Sequence, residues 1–386
     1  MHELHSILSE WKALASRPED GLAVVLATVV HVEGSAYRRP GARMLIGPDG
    51  SRTGSISGGC LEGDVARKAA WWTHNGEPVL RVFDTSSDDD AVWAFGLGCN
   101  GVIYVLLERV DSREARALLA YLDESRRAER EEVVATVVRA AADSRFHTGQ
   151  HFFGPGGMPS ELASSARATL AARRCRLLHA AGAEIFLEYI APPPRLVIFG
   201  AGHDVIPVVA LAATLGWRVT VADVRAGYAK PDRFPGAERV VVLPASGTLG
   251  DLLIDRQTAV VMMTHNFPLD TKLLPQILPL QPRYLGLLGP KKRATRLFDE
   301  IDADELVTDA HAPVGLDIGG DSPEAIAVSI IAEVQAVLAG RAGSSLRWAR
   351  GPIHTPVEEI GERAPLGALP ITPPVCETLL CEPVHG

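Results

Sequence analysis

The chain has 386 residues, 47% of them hydrophobic and 22% charged, the balance of an ordinary globular protein with room for two or three domains. A formal net charge of −9 gives no support to a nucleic-acid binder, and no apolar run reaches the ~20 residues that span a bilayer. Five scattered cysteines form no disulfide framework, and the start lacks the basic flank and apolar core of a signal peptide, so the expected compartment is the cytoplasm.

Leu4, Ile7, Leu8, Trp11 and Leu14 recur at helical spacing and predict an opening amphipathic helix. LAVVLATVVHV reads as a buried strand. The loop EGSAYRRPGAR follows, and MLIGPDGSRTGSIS reads as a hairpin turning at Pro48, Asp49 and Gly50. LEGDVARKAAWW predicts a helix, and VLRVFDT and VIYVLLERV predict strands. Residues 111–190 supply a charged helix, the strand EEVVATVVRA, a Gly/His-rich stretch and the strand EIFLEYI, read as a continuation of the first sheet. Together, residues 1–190 make an N-terminal mixed α/β domain. APPPR at 191–195 is the predicted linker, because three prolines favour an extended, semi-rigid chain.

Beyond the linker, RLVIFGAG, WRVTVADVR, RVVVLPA, TAVVMMTH and RYLGLLG are near-continuous apolar runs alternating with helical segments. Strands covered on both faces read this way, so 196–340 is predicted to be a Rossmann-like, doubly wound parallel-sheet domain. Its last helix starts with Ser322 placed to cap and Pro323 in the first turn. The proline-rich tail, 341–386, is expected to be irregular.

In the second half, FGAGHDV follows a predicted strand and opens a helix. Gly200 and Gly202 permit a tight turn that brings backbone N–H groups, with His203 beside them, near a phosphate. The third glycine of the dinucleotide fingerprint is absent, since Val205 stands there. Asp223 ends the next strand where an acidic residue usually bonds a ribose hydroxyl. Thr264 and His265 close the fourth strand, and Gly289, Lys291, Lys292 and Arg293 close the fifth. Three cations at a helix start oppose its dipole, which a bound phosphate relieves; a solvated turn is the alternative. HAPVGLDIGGDSP, with Asp317, Gly319 and Gly320, is a further candidate anion loop.

In the first half, SGGC (Gly58, Gly59, Cys60) and GLGCNG (Gly98, Cys99) are two glycine–cysteine loops. Cysteine is ordinarily a small buried hydrophobe, which is the reading given to Cys175, Cys376 and Cys381. Cys60 has two readings: a piece of core after a turn, or a thiol activated by a helix N-terminus. Glu62 and Asp64 work against activation unless they point away. Arg38, Arg39 and Arg43 supply positive charge if their loop folds over. There is no CxxC, zinc spacing or P-loop, and His147 with His151 is an isolated pair.

In order, RRPGARMLI, GSISGGCLEGDV, FGLGCNG, VIFGAGHDV, LGWRVTVADVR, MTHNFPLD, YLGLLGPKKR and HAPVGLDIGGDSPEAIAVSIIAEV resemble the xanthine dehydrogenase accessory proteins, the XdhC/CoxI family. The match runs over most of the chain to about residue 340. The resemblance implies a maturation chaperone that binds molybdenum cofactor (a molybdopterin) as cargo. It implies support for cofactor sulfuration with a cysteine desulfurase, and delivery to an apo molybdenum hydroxylase of the xanthine dehydrogenase type. Cys60 and Cys99 carry over as candidate molybdenum or sulfur contacts, and the second-domain loops as phosphate or nucleotide contacts. A homodimer is the expected assembly, with a cleft between the glycine–cysteine loops and the Rossmann-like sheet edge. The chain departs from the pattern in GAGHDV, where Val-Ala usually follows the histidine, and in GPKKR, GCNG and DIGGDSP. The first two bear on which nucleotide binds. The rival readings are an NAD(P)-dependent oxidoreductase, suggested by Gly200, Gly202 and Asp223, and a scaffold bridging desulfurase and target.

Overall fold

The computed structural model describes residues 2–15, 23–84, 101–303, 310–350, 353–354 and 356–362. The chain divides into two compact units, Glu3–Pro192 with the chain after residue 350, and Pro193–Arg350.

The first unit contains two five-stranded sheets. One is antiparallel, built from β1 (Val25–Gly34), β2 (Arg43–Ile46), β3 (Arg52–Gly54), β4 (Val79–Asp84) and β5 (Gly101–Arg109), in the order β3-β2-β1-β5-β4. Strand side chains alternate between faces, and here both faces are covered. Val25, Ala27 and Val29 pack with Val65 and Ala69 of helix α2 (Glu62–Trp72). Leu26 points the other way, among Ile7 and Leu8 of α1 (His2–Ala15) and Leu118 and Leu122 of α3 (Arg113–Ala128). That double burial explains the unbroken apolar run in β1.

Residues 132–190 build a second sheet rather than extending the first. It comprises β6 (Glu132–Ala140), β7 (His151–Phe153), β8 (Arg176–Ala180) and β9 (Ala183–Ile190), joined by β15 (Glu358–Ile360) in the order β15-β8-β9-β6-β7. Helix α4 (Ser160–Ala172) covers its outer face through Leu162 and Ala166. On the inner face Val138 and Phe186 meet Val30 and Leu106 of the first sheet. The short strand β15, which pairs parallel to β8, falls in the tail expected to be irregular; three residues with two glutamates carry no hydropathy signal.

A buried arginine–glutamate ion pair crosses the two sheets. Arg43 on β2 makes a two-pronged contact with the Glu188 carboxylate on β9, with Nη1–Oε1 at 2.8 Å, and also donates to the Gly41 carbonyl.

The second unit is a doubly wound parallel sheet of β10 (Arg195–Phe199), β11 (Arg218–Asp223), β12 (Arg239–Val242), β13 (Thr258–Met262) and β14 (Tyr284–Leu287), ordered β12-β11-β10-β13-β14. Leu196 and Ile198 face α5 (Val205–Thr214) and α8 (Pro323–Leu338). Val197 and Phe199 face α6 (Phe267–Ile277) and α7 (Lys291–Glu300). The order reverses between β10 and β13, where such sheets open a crevice at their carboxyl ends. No helix among the described residues is long and apolar enough to cross a membrane.

Removing one partner of a buried ion pair strands the other charge, at about 3–5 kcal/mol. Glu188→Leu is therefore expected to lower the urea-unfolding free energy by about that amount, and Arg43→Met with Glu188→Leu to recover most of it. An unchanged midpoint in the single variant contradicts a role for the pair in joining the sheets.

Candidate functional site

The glycine–cysteine loop is organised from its far end. Gly54, leaving β3 with φ +88°, passes so close to β2 that a Cβ there would lie 2.3 Å from the Arg43 carbonyl oxygen. Glu62, the first residue of α2, then turns back into the loop. Its Oε1 accepts from Ser55 Oγ (2.9 Å), the Ile56 N–H (3.1 Å) and the Ser57 N–H (2.7 Å), and its Oε2 accepts from Ser57 Oγ. Burial alone raises this carboxyl, yet the bonds from Ser57 and Ser55 hold it below the ordinary carboxylate range.

Ser57 Oγ is the second centre. It accepts from the Gly59 N–H (3.2 Å) and the Leu61 N–H (3.1 Å), and Cys60 Sγ lies 3.4 Å away. The loop is closed on its own hydroxyl and carboxylate, leaving Cys60 partly buried against the core under α2. Gly58 and Gly59 are exposed; Gly59 has φ +113° with open space around it. Asp64 points to Lys68 and Arg67, at 2.8 and 3.4 Å, and Glu62 points into the turn.

The RRPGAR loop does fold over, but through Tyr37. Its ring lies 3.5 Å from where a Gly58 Cβ would be, and the side chain is 68% exposed. The three arginines are engaged: Arg38 with Glu3, Arg39 with His354, and Arg43 with Glu188. Cys175, read as structural, has its thiol pushed up to about 12, chiefly by burial and then by the Glu188 charge. Gly98 and Cys99 lie outside the described residues. His151 is buried between Glu108 and Thr136, and among the described residues no three His, Cys, Asp or Glu side chains are grouped to hold a metal.

Carboxylates also close the loops at the Rossmann edge. Gly200 is required at φ +117°, since a Cβ would meet the Met263 carbonyl at 2.2 Å. Asp223, at the end of β11, accepts from the Ala201 N–H (2.7 Å), the Arg225 N–H (2.8 Å) and the Arg225 guanidinium (3.0 and 2.6 Å). Burial opposes its ionisation, but Arg225 and the two N–H groups hold it below the usual range. A Cβ on Gly202 would sit 2.3 Å from Asp204 Oδ1, and Asp204 Oδ2 is 2.8 Å from His265 Nε2. His203 is exposed.

Arg293 bonds Asp270 at 2.6 Å, alongside Thr264 Oγ1 at 2.5 Å. Burial nevertheless pushes the Asp270 carboxyl up. Lys291 and Lys292 are exposed, and Gly289 turns at φ +125°. In the last loop, Glu333 accepts from the Gly315 N–H (2.8 Å) and Tyr284 Oη (2.5 Å), while Asp317, Gly319 and Gly320 face solvent. Sequence reasoning missed Ser57 and Tyr37 as loop partners, Arg225 on Asp223, and Arg233 on the Ala201 carbonyl of the glycine loop. The S-x-x-x-x-E spacing was the available signal for the first.

Glu62 gives a test with a defined sign. A carboxylate depressed in the folded state stabilises above its unfolded pKa, and that stabilisation is lost as pH falls through the folded value. Glu62→Gln is expected to cost about 2–3 kcal/mol at pH 7. The gap to wild type should begin to shrink as pH falls below the ordinary glutamate range of the unfolded chain, about 4.3, and go on shrinking until pH passes through the lower value of the folded carboxyl. A gap that does not change between pH 7 and pH 3 contradicts an ionised, hydrogen-bonded Glu62.

Two family models match the chain: the XdhC Rossmann domain over residues 196–334, and the XdhC and CoxI family over residues 19–84. A Bacillus subtilis (strain 168) protein, named as a probable xanthine dehydrogenase component, is 33% identical over 318 residues, 82% of this chain and 93% of that one. The molybdenum cofactor insertion chaperone PaoD of Escherichia coli (strain K12) is 26% identical over 322 residues, covering 82% and 84%. A Bacillus halodurans crystal structure described as a xanthine dehydrogenase aligns with a TM-score of 0.69 at 32% identity, over 88% of this chain and 98% of that chain. Matched in both halves, and to a relative over nearly all of that relative's length, the chain belongs to the XdhC and CoxI family.

Proposed function

We propose that this protein is a maturation chaperone that binds molybdenum cofactor and hands it to an apo molybdenum hydroxylase of the xanthine dehydrogenase type. Its main support is Cys60: a partly buried thiol, held by Ser57 and Glu62 beside two exposed glycines, in a chain similar to a named molybdenum cofactor insertion chaperone. A thiol is a soft donor suited to molybdenum or its sulfur ligand, and the glycines let a large flat ligand approach the backbone. Tyr37 beside Gly58 adds an exposed aromatic face to the same loop. The arginines of its loop have protein partners, so anionic parts of the cargo must compete for them or bind elsewhere.

The finer part of the proposal is sulfuration. Cys60 is the candidate contact through which the cofactor is held while a cysteine desulfurase supplies sulfur, in a reducing cytoplasm where the thiol persists. In this reading the chaperone supplies shelter and a soft ligand, and the client enzyme keeps the catalysis.

The test is anaerobic activation of an apo xanthine dehydrogenase-type enzyme by cofactor-loaded chaperone. Cys60→Ala is expected to reduce recovered client activity at least about tenfold, with circular dichroism and melting temperature unchanged. Activation equal to wild type by the folded variant makes Cys60 a structural residue and removes the support it gives.

A further inference from the structure

The crevice of the Rossmann unit has a charge pattern that the names of its relatives do not explain. In a dinucleotide site of this kind the helix N-terminus takes the pyrophosphate, and an acidic residue at the end of the second strand takes the ribose hydroxyls; an arginine there instead accommodates a ribose 2′-phosphate. Here the acidic residue is spent. A carboxylate has about four lone-pair positions, and those of Asp223 receive the Ala201 N–H, the Arg225 N–H and two guanidinium donors. Its side chain is 2% exposed, whereas that of Arg225 is 46% exposed.

Arg225 does not stand alone. Its guanidinium lies 4.4 Å from the ring centroid of Tyr228, and that of Arg233 lies 5.3 Å from the same centroid. Arg233 is also anchored to the glycine loop, donating through Nη1 to the carbonyls of Ala201 (2.6 Å) and Tyr228 (2.7 Å). Its Nη2 is buried with no hydrogen-bond partner among the described residues. The glycine loop is thus tied to Asp223 by one backbone group of Ala201 and to Arg233 by the other. At the helix end, by contrast, Asp204 places a carboxylate beside Gly202, paired with His265. The usual polarity is reversed, with cations at the ribose end and an anion at the pyrophosphate end.

The geometry points to a nucleotide site that selects a phosphorylated ribose, as in the 2′-phosphoadenosine half of NADP(H), with Arg225 and Arg233 on the phosphate and Tyr228 beside the base. Aromatic and guanidinium faces both stack on bases, and two guanidiniums bond phosphate oxygens in charge-assisted pairs. This assignment concerns the Rossmann unit alone and stands or falls independently of the molybdenum cargo.

Calorimetric titration of the full chain with NADP+, NAD+, 2′-AMP, 5′-AMP and inorganic phosphate tests it. NADP+ and 2′-AMP are expected to saturate, at least about tenfold tighter than NAD+ and 5′-AMP respectively. Arg225→Gln should weaken NADP+ at least about tenfold and free Asp223 for ribose hydroxyls, shifting preference toward NAD+. Arg233→Gln, whose folding is checked by thermal melting, should weaken NADP+ without improving NAD+. Equal affinities for NADP+ and NAD+, no saturation at ~1 mM NADP+, or phosphate binding as tightly as 2′-AMP would each overturn the assignment.

Discussion

Glu62 buries a charge at the first turn of α2, and a buried carboxylate is tolerated only when donors fill its lone pairs. Those donors are Ser55, Ile56 and Ser57, so the cost of burying one acid fixes the path of the loop that precedes it. Ser57, placed by that carboxylate, then receives Gly59, Cys60 and Leu61. The position of the thiol is therefore a consequence of the carboxylate, relayed through the Ser57 hydroxyl, and Gly59 supplies the positive φ that this path requires.

The same device recurs in the second unit. Asp223 takes the Ala201 N–H, Asp270 takes Thr264 and Arg293, and Glu333 takes Gly315 and Tyr284. Asp223 and Asp270 sit at the carboxyl edge of the parallel sheet, and Glu333 reaches from within α8 to the Gly315 turn; in each place the loops are irregular and backbone groups lack ladder partners. Internal acids thus rigidify the edge while occupying donors that a bare glycine loop would offer to a ligand. What stays exposed is Arg225, about half-exposed even though it is bonded to Asp223, with Tyr228 on one side, and the lysines Lys291 and Lys292 on the other. A net charge of −9 overall is compatible with such small cationic places.

The parallel sheet was legible because its strands are covered on both faces, which writes an unbroken apolar run into the sequence. The glycine–cysteine turn was legible from SGGC itself. The second sheet of the first unit was not, since β6 pairs with β9 across some fifty residues and nothing local records which sheet a strand joins. Strand β15 was invisible because edge pairing with β8 is made by backbone, not by hydropathy. Arg43 read as a cation free to serve a ligand; its partner Glu188 lies 145 positions away, beyond any pattern of spacing. Glu62 read as an acid near a thiol, and only the three-dimensional turn shows it bonded inward. At Asp223 the fingerprint drew attention to the acid and away from Arg225, two residues on, which covers it.

The central claim is that the closed Ser55–Glu62 loop presents Cys60 to molybdenum cofactor. Its most direct test is retention: load the wild-type chain and Cys60→Ala with cofactor anaerobically, remove free ligand, and measure molybdenum and oxidised-pterin fluorescence per chain. The account predicts that wild type holds both in equal molar amounts and that the folded Cys60→Ala variant loses most of each. Retention by wild type no greater than by serum albumin, or undiminished in Cys60→Ala, would contradict it.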